Sequence, residues 1–418
     1  MSIKQLLFFL GIFLSVIFGL LTPKVHNYSH DGRQLYVGAR LIFSGKNPYA
    51  RQEMKRGYEE YTREPSGVLP TPGPQLHLPA TFILLVPFAL LPWPLFCWLQ
   101  IIANAFCLPV IAYVCLRQHF AQPPVPLLLG SVFFLAILPG TWQNFALGQI
   151  ALPIMALTLG SLYLLKKHST WLSLSGIMVS LAKFTLCLPL FFFSFWTGRR
   201  ADRLVLLAGL TGYLLLNLAG ALVIGPRQCI SSYAQNNSAS FATGSENAAQ
   251  GQTVQPRVDL EILLAAFCSP AVAGIFKDAL VGLLFASLVW KRPKVETTLV
   301  ELSALSLLAL LLFYHRTYDT VLLAPSLVLV LVFWTNREMT GFRFLFAGLL
   351  ALTLASIGSE KHNLVDVLLH PLHLHQPSYW KALCLLLDTL VLIYGVRQQA
   401  YEPGHSQRPT PHPAPAGA

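Results

Sequence analysis

Long apolar runs, repeated along almost the whole chain and separated by short polar turns, confine this sequence to a lipid bilayer. They fall at roughly 79–91, 94–116, 124–139, 149–165, 170–197, 204–224, 271–290, 297–313, 319–335, 342–357 and 379–396, after a first run from Gln5 to Leu21. A full crossing needs roughly 20 apolar residues. Several runs are shorter or carry Pro87, Pro92 or Pro94, which predicts tilted, broken or re-entrant helices whose freed backbone groups are satisfied by protein or by a wet cavity. Only 11% of the residues are charged, against about 25% in water-soluble domains, so burial in an ordinary core does not account for the pattern. The expected fold is an all-α integral membrane protein of about 11–13 transmembrane or re-entrant helices. One polytopic domain spans residues 1–401, and the Pro-, Ala- and His-rich tail 402–418 has too little apolar surface to fold.

Charge placement sets the orientation. The net charge of +11 comes from short clusters such as Arg199-Arg200-Ala201-Asp202-Arg203 and Lys291-Arg292-Pro293-Lys294, which suit helix orientation and anionic lipid headgroups better than a nucleic acid. Gln5 to Leu21 follows Lys4 and lacks a small-residue cleavage site, so it reads as a retained first helix with a cytoplasmic N-terminus. Two polar loops, 22–78 and 226–259, then face outward together with residues 315–319. Arg117 and Lys166-Lys167 resist the charge rule. If every run from 79 to 197 crosses once they lie outside; if one early run is re-entrant and 170–197 is a hairpin of two half-helices they lie inside. Both arrangements stay open. The seven cysteines lie mostly within apolar runs without paired spacing, so neither a disulfide framework nor a metal knuckle is expected.

The first polar loop holds an acid where a membrane enzyme would need one. In Ser29-His30-Asp31-Gly32-Arg33-Gln34-Leu35-Tyr36, the residues Leu35, Tyr36, Ala39, Ile42 and Phe43 share a face at helical spacing. This predicts an amphipathic helix on the membrane surface, starting near Asp31 and ending before Gly45-Lys46-Asn47-Pro48-Tyr49. The stretch 62–79, rich in Pro and Gly, should be irregular.

Ionisable groups inside apolar runs cost about 2.5–3.5 kcal/mol each on insertion scales. Lys183, in Ser180-Leu181-Ala182-Lys183-Phe184-Thr185, reads either as a lysine reaching a headgroup or a buried acid such as Asp278, or as a cation fixed to meet a phosphate. Phe313-Tyr314-His315-Arg316-Thr317-Tyr318-Asp319 is a polar knot between two apolar runs. Arg316 and Asp319 could pair on one helical turn, or the knot could clamp a phosphate or sugar, for which a guanidinium offers two parallel hydrogen bonds. Gln143, Asn144 and Gln149 sit near a helix start, as caps or as site amides. Asn236, Asn237, Gln252, Gln255 and Arg257 make the second loop a hydroxyl-binding surface. His370, His373 and His375 lack a completing Cys or acid for zinc and read as a solvated loop.

The order of these motifs resembles the family 87 glycosyltransferases, polyprenol-phosphate-mannose-dependent α-mannosyltransferases of the glycosyltransferase C superfamily. The resemblance rests on Asp31 with Tyr36 and Ala39; Gly45-Lys46-Asn47-Pro48-Tyr49; the Pro79 to Pro92 run; Gly148-Gln149; Lys183; Asn236-Asn237-Ser238; and Arg316 with Tyr318-Asp319. It covers the chain from Asp31 to about Pro325. Two departures stand out: His77-Leu78-Pro79 where many members read Tyr-Pro-Pro, and His315-Arg316 where some carry paired histidines.

The resemblance implies an enzyme of the inner cell membrane, with its site on the external or periplasmic side. It would move a hexose, mannose foremost, from a polyprenyl-phosphate donor to a hydroxyl of a lipid or glycan acceptor. Asp31 would act as general base in a single inverting displacement. Lys183, Arg316, His315 and Arg257 would hold the donor phosphate, and Tyr36, Asn47, Tyr49, Gln149, Asn236, Asn237 and Asp319 would contact substrate. Several cations around a leaving phosphate would make a metal or other cofactor unnecessary. The competing reading is a multi-helix transporter of a lipid or small solute, which would be favoured by internal inverted repeats; none is visible.

Overall fold

The computed structural model describes residues 30–62, 74–241, 257–290, 298–313, 315–337, 339, 341–358 and 377–401. The expected first helix, most of the irregular stretch 62–79, Gln252, Gln255, the three-histidine loop and the tail 402–418 lie outside them. Among the described residues every named element is helical. Six helices are long and apolar enough to cross a membrane: Trp93–Arg117, Thr170–Thr197, Arg200–Ile224, Pro270–Val289, Thr317–Thr335 and Tyr379–Arg397. A pair bent by 61°, Val125–Ala136 with Pro139–Leu147, makes a seventh span if read as one. Four shorter apolar helices accompany them: Pro79–Ala89, Ala151–Lys166, Leu299–Leu312 and Phe342–Ile357. This is the all-α integral membrane protein that the apolar runs require.

In chain order the helices that matter below are α1 (His30–Phe43), α2 (Arg51–Thr62), α3 (Pro79–Ala89), α4 (Trp93–Arg117), α5 (Val125–Ala136), α6 (Pro139–Leu147), α7 (Ala151–Lys166), α8 (Thr170–Ser180), α9 (Phe184–Thr197), α10 (Arg200–Ile224), α11 (Pro226–Phe241), α12 (Leu260–Ala265), α13 (Pro270–Val289) and α14 (Leu299–Leu312). The centre is α14, buried along nearly its whole length, next to the span Thr317–Thr335. At the periphery, α10 and α13 expose Leu204, Leu214, Leu215, Leu218, Leu222, Ile275 and Leu283, a surface suited to lipid tails and costly in water.

The structure adds three points to the apolar pattern. First, of the two arrangements left open for 170–197, the structure has the single span and not the hairpin. The segment Ile177 to Leu188 contains no Gly or Pro to turn it, and α8 continues into α9 through a single 3-10 turn, Leu181–Lys183. The sharp bend falls instead at Leu138, ahead of Pro139, as the restricted backbone before proline favours. Second, the apolar face of α1 is turned to protein. Leu35, Tyr36, Val37, Ala39, Leu41 and Ile42 are all buried, and only Phe43 of the expected apolar face is exposed, at 61%. The cause is α2, which the sequence reading left unassigned; its Met54, Tyr58 and Thr62, four apart, turn inward and cover one side of α1 while α3 covers another. Third, the second polar loop is helical over Pro226–Phe241, with Cys229 and Ser240 buried and Asn237 exposed.

The start of α3 depends on a distant side chain. Its N-cap, Leu78, has no side-chain acceptor to offer, and helix N-termini leave unpaired N–H groups. Asn217 of α10 supplies the missing acceptor: its Oδ1 takes the N–H of Ala80 at 3.0 Å, while its Nδ2 donates to Tyr213 O at 3.0 Å. Ala80 is fully buried, so Asn217→Leu strands a donor. The expected outcome is a loss of about 1–3 kcal/mol, measured as a lower midpoint of unfolding in detergent or lipid.

Candidate active site

The central ion pair of the site stands at an interruption in the span Thr170–Thr197. Lys183 closes the 3-10 turn and takes non-helical angles, φ −131° and ψ 67°. An interruption inside a membrane frees backbone groups, and the carbonyl of Ala182 is met by Thr81 Oγ1 of α3 at 3.0 Å. The lysine side chain, 11% exposed, donates to Asp319 Oδ1 at 2.5 Å. Its ammonium also stands 4.3 Å from the Tyr318 ring centre, a further stabilisation of the cation. The partner acid is thus Asp319, not Asp278, which is exposed and lies 3.5 Å from Lys277.

From Lys183 the polar chain runs both ways. On one side Asp319 Oδ2 meets His315 Nδ1 at 3.1 Å, and His315 Nε2 faces Ala309 O at 3.0 Å. His315 is fully buried with both ring nitrogens spent inside the protein, so it acts on the site through Asp319. On the other side Lys183 Nζ approaches Gln149 Oε1 at 3.4 Å, and Gln149 Nε2 donates to Asp31 Oδ2 at 2.5 Å. Asp31 lies in the first turn of α1, as expected. The structure therefore joins Asp31, Gln149, Lys183, Asp319 and His315 in one line.

Arg257 and Arg316 flank that line through the backbone, forming an antiparallel bridge with Val258 N donating to His315 O at 3.2 Å. The Arg257 side chain is buried and forked onto Asp259, with Nε and Nη2 each 2.8 Å from a carboxylate oxygen. Three other candidates gather elsewhere. Asn47 Nδ2 donates to Ser232 Oγ at 3.1 Å, Asn236 Nδ2 donates to Tyr49 O at 3.1 Å, and the Tyr49 hydroxyl donates to His77 O at 2.8 Å. This second cluster ties α11 to the turn between α1 and α2. Tyr36 belongs to neither: its hydroxyl donates to Leu91 O at 2.9 Å, and its ring packs 5.1 Å from those of Trp93 and Phe96. Asn144 does cap the helix after it, accepting from the N–H groups of Ala151 and Leu152 at 3.1 and 3.4 Å, and its amide also donates to Tyr318 O at 2.7 Å.

Two groups of residues escaped the sequence reading. Gln100 and Asn104, one helical turn apart on α4, are buried and donate to the carbonyls of Gly148 and Gln149. The rule that singled out Lys183, a polar side chain inside an apolar run, would have found them too. The other is His77, noted only as a departure from a motif. Burial, and then the Lys183 charge, push its imidazole down to about 4, against opposing pulls from Asp31 and Asp319. It therefore stands neutral within the field of the line at neutral pH.

A family model described as glycosyltransferase family 87 matches residues 76–356, more than half of the chain. The match includes Gln149, Lys183, Arg257, His315, Arg316 and Asp319 and begins after Asp31. Neither a curated protein nor a solved structure gives a significant match.

Two outcomes follow from the geometry. Removing one partner of a buried pair leaves an uncompensated charge, at about 3–5 kcal/mol. Lys183→Met should therefore unfold far more readily than the parent, and Lys183→Met with Asp319→Leu should regain most of that loss in a thermal melt. For His77, the unfolded chain takes up a proton near pH 6.5 and the folded chain near 4. Between those values the unfolded state binds more protons, so stability rises with pH. A denaturation series from pH 4 to 7 should show this slope, and His77→Gln should flatten it.

Proposed function

Because the chain belongs to glycosyltransferase family 87 and is an integral membrane glycosyltransferase, we propose that it transfers a hexose, mannose, from a polyprenyl-phosphate donor to an acceptor hydroxyl on the external face of the inner membrane. The observation that carries this reading is the line from Asp31 to Asp319, which holds a carboxylate and an ammonium together beside a break in a membrane-spanning helix. A lipid-tethered phosphate reaches a protein at such a depth, whereas a water-borne nucleotide donor does not need it.

Each step has a group suited to it. The Asp31 carboxylate takes the acceptor's proton as its oxygen attacks the anomeric carbon. The bond from that carbon to the phosphate oxygen breaks, and the lipid phosphate leaves with the electron pair. Lys183 has three N–H donors, two directed at Asp319 and Gln149, and the third answers the charge that grows on the phosphate. Arg316, with Asp319 in the same segment, adjoins the departing group. One displacement with one base inverts the anomeric centre. His315 and Arg257, both buried, support these cations from behind, and Asn237 on the outer side of α11 is left to the acceptor.

The test is a transfer assay with the purified chain in lipid and a panel of radiolabelled polyprenyl-phosphate sugars, in which the mannosyl donor should be used. Asp31→Asn should lower transfer by about a hundredfold or more, the usual range for a positioned base, with donor binding little changed. Since Asn caps a helix about as well as Asp, a rate within a few-fold of the parent would remove Asp31 from the chemistry. For the sidedness, cysteines placed at Glu60 and Ser245 should react with an impermeant reagent from outside and one at Pro293 should not; outside labelling of 293 alone would sink the assignment.

A further inference from the structure

The amide of Gln149, which the resemblance gave only as a substrate contact, stands between the two charged groups that the proposed reaction uses. Its two ends are not interchangeable. Nε2 donates to Asp31 Oδ2 at 2.5 Å and Oε1 accepts from Lys183 Nζ at 3.4 Å. Flipped, the amide would set its oxygen against a carboxylate and its NH₂ against an ammonium, two repulsive contacts. The opposite charges on either side thus fix its direction.

Its backbone is fixed as well. Gly148 caps α6 in the left-handed region, φ 65°, a conformation that favours glycine. The Gly148 carbonyl accepts from Gln100 and that of Gln149 from Asn104 at 3.4 Å, while Gln149 N donates to Asn144 O at 3.0 Å. Gly32, next to Asp31, lies directly on this loop: a Cβ there would come within 3.0 Å of Gly148 O and 3.2 Å of Gly148 Cα. Two glycines, each beside one of the bonded residues, let the acid and the amide approach. Gln149 itself is 2% exposed.

We infer that Gln149 is a positioning residue that holds Asp31 as an oriented carboxylate and couples it to the charge at Lys183. This deepens the reading of Asp31 as the base and rests on it. A buried donor aimed at a carboxylate favours the ionised form, and a fixed amide spends no reorganisation when the acceptor arrives. Other charged or titratable groups near Asp31 are Arg33 on its own helix, Tyr58 of α2, and His77, Lys183 and Asp319 across the site. Because Lys183 polarises the same amide from its other end, donor phosphate drawing on that ammonium weakens the hold on Asp31, and the base becomes more basic as the donor binds.

The experiment uses the full chain in lipid. Gln149→Glu keeps the shape but replaces the donor with a second acid, and Gln149→Leu removes both bonds. The protonation of Asp31 is followed by infrared difference spectroscopy, taking as its signal the carboxyl band that Asp31→Asn abolishes. Its midpoint should move to higher pH by roughly one unit or more in Gln149→Leu and further in Gln149→Glu, where two acids share a site. The acidic limb of the transfer rate should move with it, so that activity lost at pH 6 returns at pH 8. A purely structural glutamine would lower the yield of folded protein and leave both midpoints where they are, and that result overturns the inference. Gly32→Ala, which separates the two residues without touching either, should shift the band in the same direction and decides the matter if a Gln149 variant does not fold. If Asp31→Asn transfers normally while the band still moves, the base reading falls and the bond stands.

Discussion

A lysine held inside a bilayer needs a counter-charge, and the pairing of Lys183 with Asp319 is the condition under which the centre of this protein exists. Insertion scales put an isolated lysine at the middle of a span at about 2.5–3.5 kcal/mol, and its attraction to an acid in low dielectric offsets that only with good geometry and the remaining hydrogen bonds filled. Here they are filled by Gln149, by the Tyr318 ring and, behind Asp319, by His315. The interruption of the helix at Leu181–Lys183 lets the side chain reach its partners, and Thr81 repairs the backbone that the interruption exposes. The fold and the site share one set of contacts.

That sharing explains what the sequence told and what it withheld. The membrane class and the position of nearly every described span follow from apolar runs, because the bilayer enforces internal hydrogen bonding on any chain that crosses it. Lys183 stood out as a charge inside an apolar run with a cost to justify, and Asp31 as an acid in the polar loop at the start of an amphipathic helix. Their connection did not. Gln149 looked as much like a helix cap as a site residue, and the cap proved to be Asn144 of α6, five residues earlier; so short a separation gives no sign of which amide turns where. The helix α2 was missed because its inward residues are few and its mean character is polar, with tertiary contact to α1 deciding its state. Asn47, Tyr49 and Asn236, which the resemblance gave as substrate contacts, are bonded to one another, to Ser232 and to backbone, a meeting of distant residues that sequence spacing does not announce.

The two glycines at the site reverse the usual weighing of such residues. Gly148 is identifiable from sequence as a helix end, yet its second service is to admit Gly32, and through it Asp31, to a distance no side chain would allow. Close approach of two backbones is set by what is absent from both, so it leaves no polar signature for a reader to follow.

The separation of Lys183 and Asp319 along the chain, 136 residues, also has a consequence for biosynthesis. At about 5–20 residues per second, the lysine leaves the ribosome roughly 7–27 s before its counter-ion does. During that interval Gln149 and Thr81, both already made, are the partners to hand for the ammonium and the broken backbone, while the counter-charge of Asp319 is still to come. The ion pair that organises the interior can therefore close only after the segment carrying Asp319 has been made.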